Sequence, residues 1–129
     1  MKKQMMVGGL ILAAQILGSA GAFAGPWEDG MAAYNRGDYM PAIQLFRPLA
    51  AKGNARAQHL IGVMYHKGEG VERSSVRAFA WFSLAAARGD SDAKAKLTEV
   101  SKTLTPDELS QGREMAQACE MSDYRNCEY

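Results

Sequence analysis

Residues 54–90 read NARAQHLIGVMYHKGEGVERSSVRAFAWFSLAAARGD, and the fold is decided here. Ala57, Leu60, Ile61 and Met64 recur at three- and four-residue intervals, which is the apolar stripe of an amphipathic helix over about 54–67. Gly68-Glu69-Gly70 ends that helix. Val76, Phe79, Ala80 and Leu84, with Trp81, Phe82 and Ala85 to Ala87 beside them, predict a second helix over about 74–88. Gly89 stops it, and Asp90 or Ser91 is placed to cap a further helix. The stretch is therefore one helix pair with a glycine-rich turn.

Outward from this pair, the chain repeats itself. At an offset of 36 residues Ala42 falls on Ala78, Phe46 on Phe82, Ala50 and Ala51 on Ala86 and Ala87, Gly53 on Gly89, Asn54 on Asp90 and Ala57 on Ala93. The preceding unit predicts helices over about 27–36 and 39–52, joined by Gly37-Asp38 with Asp38 as N-cap. Pro41 falls in the first turn, where its missing N–H costs nothing, whereas Pro48 lies inside the helix and predicts a kink or an early end. The following unit is degenerate. A helix over 91–103 keeps Ala93, Leu97 and Val100, and Thr105-Pro106-Asp107-Glu108 reads as a capping box opening a last helix over 106–120. This polar pair is expected to cap the array. No strand pattern is present, so the fold class is all-α.

Ala57-Gln58, Ile61-Gly62-Val63-Met64-Tyr65, Gly68-Glu69-Gly70-Val71, Ala78, Trp81-Phe82, Ala85-Ala86 and Gly89 together resemble one complete Sel1-like repeat. That family is related to the tetratricopeptide repeat and has a longer inter-helix loop. Gly37-Asp38-Tyr39 and Ala42-Ile43, with a shorter loop, resemble a tetratricopeptide unit. The resemblance implies an α/α superhelix, a tetratricopeptide-like solenoid of about three helix pairs. A tetratricopeptide-like unit would occupy 25–53, a Sel1-like unit 54–89 and a degenerate C-terminal capping unit 90–129. It also implies protein–protein contact as the general use, with the first helix of each pair lining a concave groove. Fold is specified in this way much better than partner.

The N-terminal residues read as a signal peptide over 1–24. Lys2 and Lys3 precede an apolar stretch from Val7 to about Phe23, and Ala22-Phe23-Ala24 is a small-x-small cleavage site, so the mature chain is expected to begin at Gly25. A periplasmic or secreted protein without membrane insertion after cleavage follows. Cleavage removes two lysines from a chain of 15 basic and 14 acidic residues, leaving a net charge of −1. That balance argues against a nucleic-acid partner. Cys119 and Cys127, in an exported chain, are expected to pair. In the chain-entropy model a loop of this size contributes roughly 2.6 kcal/mol.

With the apolar stripe of helix 54–67 turned inward, Arg56, His59, Val63 and His66 project from the opposite side, with Lys67 at its edge. By the resemblance these five residues line the concave groove and suit a protein or peptide partner of acidic character. A solvated helix face has the same pattern. Trp27, Met31 and Tyr34 form a second candidate patch, or pack the first helix pair. His59 and His66 stand about 10 Å apart along a helix, too far to share one metal ion. Ser91-Asp92-Ala93-Lys94 matches the Ser-x-x-Lys pattern of penicillin-recognising enzymes, but its partner motifs are missing: Lys102-Thr103 is followed by Leu104. No catalytic residue, metal or cofactor is assigned. The expected function is an exported interaction module, an adaptor, scaffold or regulator in a bacterial envelope. The alternatives are a periplasmic inhibitor or immunity-type protein that blocks a hydrolase and, more remotely, a β-lactam-acting enzyme. No pattern specifies an oligomeric state.

Overall fold

The computed structural model describes residues 24–127, and the expected leader lies outside them except for Ala24. Among the described residues six helices follow one another: α1 (Pro26–Asn35), α2 (Tyr39–Ala51), α3 (Ala55–Lys67), α4 (Ser75–Ala87), α5 (Ser91–Ser101) and α6 (Pro106–Met121). Among the described residues there is no strand. The chain is an all-α helical repeat solenoid.

Local chemistry sets the helix ends. The Asn54 side chain accepts the Ala57 N–H at 3.0 Å and opens α3, and Gly68, left-handed at φ 73°, closes it. Ser74 and Asp90 open α4 and α5 in the same way. Thr105 and Glu108 form the expected capping box reciprocally, at 3.2 and 2.9 Å. Asp38 occupies the N-cap position of α2, but its side chain makes no cap bond and pairs instead with Arg36 at 3.1 Å. Helix α2 runs through Pro48 to Ala51 rather than ending early. The proline removes a donor to the Gln44 carbonyl only, and Gln44 is exposed, so water can replace that bond.

Helix α2 packs between α1 and α3, and α3 packs between α2 and α4. Helices α5 and α6 both rest on α4 and touch each other little, so the last two helices are not a pair like the first two. The cause is their narrow apolar stripes. Only Ala93 and Val100 of α5 are buried, and only Gly112, Ala116 and Cys119 of α6. Helix α4 is correspondingly buried almost all round, through Ala78 to Phe82, Leu84 and Ala85.

The buried face of α3 is wider than the stripe read from sequence. Ala57, Ile61 and Met64 are buried as expected, but so are Gln58, Gly62 and Tyr65, while Leu60 is only partly covered. Packing against α2 and α4 on two sides turns the helix toward Gln58 and swings Leu60 outward. The Gln58 amide donates Nε2 to the Ala50 carbonyl of α2 at 3.2 Å, while its buried Oε1 has no partner.

A candidate protein-binding cleft

Helices α1 and α3 both pack on α2, and residues of α1, α3 and the start of α5 face a common space. The resulting open cleft of about 180 Å³ is lined by Trp27, Met31, Arg56, His59, Leu60, Asp90 and Asp92. Its wall is built from ring contacts. Trp27 packs on Phe46 with ring centroids 5.4 Å apart, and the Arg56 guanidinium lies 4.4 Å from the Trp27 ring centroid. His59 sits edge-on to Phe82, with centroids 5.7 Å apart. Its Nδ1 is 3.1 Å from Asp90 Oδ1, which also accepts the Ala93 N–H at 2.8 Å. An ionised carboxylate only accepts, so this contact places a proton on Nδ1. One aspartate thus caps α5 and orients a histidine of the preceding unit.

The structure divides the sequence candidates. Arg56 and His59 come together with Trp27 and Met31, residues from two separately expected patches. Val63 is partly buried against the core, and neither His66 nor Lys67 lines the cleft. The His66 carbonyl accepts from Arg73 Nε at 3.1 Å, and its Nδ1 is buried without a partner. Tyr34 leaves its patch: its hydroxyl donates to Glu69 Oε1 at 2.8 Å. Burial first, and then that bond, holds the Tyr34 phenol well above the usual tyrosine range. A bond to the same carboxylate raises Tyr39, half-buried against the core, as well.

Leu60, Asp90 and Asp92 were not read as site residues. Asp90 had a partial signal, because at the 36-residue offset it matches Asn54, and both residues cap the first helix of a unit. Because both aspartates face the cleft, its charge is mixed rather than basic. Among the described residues no three His, Cys, Asp or Glu side chains converge as metal ligands would. Ser91 is exposed at the first position of α5.

At the other end of the array Cys119 and Cys127 are joined in a disulfide. Cys127 folds back over Ala80, Trp81, Leu84 and Met115. Tyr124 between them accepts a hydrogen bond from Arg88 at 2.7 Å.

Comparison with known proteins agrees with this architecture. Residues 55–90 match the Sel1 repeat family. A solved structure of a protective antigen present in uropathogenic Escherichia coli strains, displaying an SLR fold, is similar with a TM-score of 0.68 and 28% sequence identity. The likeness covers 77% of this chain and 23% of that one, so the present chain spans about a quarter of that protein's length. No curated protein matches the sequence.

Proposed function

We propose, from the premise that this chain is a Sel1-like repeat protein, that it is an exported module holding a partner polypeptide in the cleft between α1, α3 and α5. Sel1 repeats are in general protein-interaction modules. One observation carries the placement: a stacked Trp27–Arg56 pair beside Met31 and Leu60 opens onto solvent. Tryptophan and arginine in a pre-formed pocket are what protein-binding hot spots are made of. Stacking on Trp27 limits the freedom Arg56 has to lose on binding. The leader pattern at Lys2, Lys3 and Ala22 to Ala24 supports export, and the Cys119–Cys127 disulfide fits an oxidising compartment.

Photo-crosslinking in living cells tests the placement. A photoreactive amino acid introduced at Met31 or Leu60 is expected to give a discrete higher-mass adduct, and one at the exposed Lys94 of α5 to give none. Identical patterns from all three positions would move the contact surface elsewhere. The same cells test export. A mass beginning at Gly25 is expected in the soluble periplasmic fraction, whereas an intact chain in the membrane fraction would mark the leader as an anchor.

A further inference from the structure

We infer that the partner segment presents one bulky apolar side chain bracketed by a carboxylate and a cationic group. This rests on the binding reading above and names its ligand chemistry. Size sets the number of anchors. An apolar cavity of about 150 Å³ holds a benzene-sized group. The cleft, at about 180 Å³, therefore takes one leucine, methionine or phenylalanine side chain against Trp27, Met31 and Leu60. Met31, unbranched and polarisable, can adapt to any of the three.

Charge sets what flanks the anchor. Of the two aspartates in the wall, Asp90 is already engaged by His59 and by the Ala93 N–H. Asp92 is exposed and forms no ion pair among the described residues. Arg56 is exposed and stacked on Trp27, and among the described residues it forms no ion pair either. These two charges stand on different helices, α3 and α5, and are not paired with one another. One charge of each sign therefore remains for a partner. A uniformly acidic or uniformly basic segment satisfies one and opposes the other, whereas a mixed segment satisfies both.

The test is a titration of the purified ¹⁵N-labelled protein with four end-capped pentapeptides. They are Gly-Glu-Leu-Lys-Gly and its counterparts with Glu-Leu-Glu, Lys-Leu-Lys and Gln-Leu-Gln at the centre. The Trp27 indole N–H reports on the cleft, and Trp81, 2% exposed in the core, is the internal reference. The mixed peptide is expected to shift the Trp27 resonance with an affinity about threefold or more above the other three, the scale of two exposed ion pairs. High salt should shrink that margin. Asp92→Lys should move the preference to Glu-Leu-Glu, and Arg56→Glu should move it to Lys-Leu-Lys. Equal affinity for all four peptides, or no Trp27 shift with any of them, would overturn the inference. Free leucine saturating the cleft as well as the mixed peptide would overturn it too, by marking a small-molecule site. If the crosslinks at Met31 and Leu60 persist while the peptides fail, only the ligand chemistry is wrong. If the crosslinks are absent, the binding reading itself fails.

Discussion

At Gly62 the missing side chain is a packing requirement. A Cβ there would stand 2.7 Å from the Phe82 ring, and a Cβ at Gly30 would stand 2.6 Å from the Phe46 ring. Each first helix thus seats the phenylalanine of its own second helix on a bare backbone. Gly62→Ala is expected to cost about 1–3 kcal/mol, the range for overpacking a close-packed core, despite alanine's better helix propensity. A lower urea midpoint with an unchanged slope would show it, and Gly62→Ala with Phe82→Leu should recover part of the loss. A midpoint at or above the wild-type value would show that the ring moves freely. Glycine inside a helical pattern is a legible sign of such a contact. The face of Gln58 was not legible, because a polar letter inside an apolar register reads as surface. Its bond to the Ala50 carbonyl offsets part of the cost of its complete burial, and its Oε1 remains unpaired.

Among the elements, the α3–α4 connection over 68–74 does more than reverse the chain. It is four residues longer than the α1–α2 connection over 36–38 and reaches back onto the first unit. Glu69 meets Tyr34 and Tyr39 there, and a Cβ on Gly70 would lie 2.9 Å from the Tyr39 backbone. Spacing alone assigned Gly68-Glu69-Gly70 to a turn and said nothing of what the turn touches. The raised Tyr34 phenol makes this contact testable. A tyrosine whose folded pKa lies above its unfolded value, about 10, stabilises fully below that pH. The contribution fades as pH rises above 10, where the unfolded chain releases the proton and the folded chain does not. Stability is therefore expected to fall between about pH 10 and 12, and Tyr34→Phe to flatten that decline. Equal slopes for both proteins would remove Tyr34 from the account. At the C-terminal end the Cys119–Cys127 disulfide closes a short loop, so its reduction should cost no more than about 2–3 kcal/mol. Denaturation with and without dithiothreitol measures that difference. A much larger loss would mean that the covering of Trp81 by Cys127, rather than loop closure, dominates.

Over the whole molecule, the helices and their order were legible because the glycines, caps and apolar letters agree at one 36-residue offset. The cleft was half legible. Arg56 and His59 share a helix face, but their meeting with Trp27, Met31 and Asp92 depends on how α1 and α5 stack on their neighbours, which no single helix encodes. The same stacking makes α4 a hub against which α3, α5 and α6 all pack. Repeat arrays with only nearest-neighbour contacts can lose one unit and keep another. Here the first unit is a lone helix pair joined to the rest through α3 and the Glu69 loop, too small to persist by itself. Trp81→Ala removes the largest fully buried side chain of the hub and should cost about 3–5 kcal/mol. The chain has two tryptophans, so this variant leaves Trp27 as its sole reporter in the first unit. Trp27 fluorescence and helical circular dichroism are then expected to fall in one shared transition at a lowered midpoint. If Trp27 instead keeps its folded signal after most of the helicity is lost, the first unit stands on its own and α4 is not the hub of a single cooperative domain.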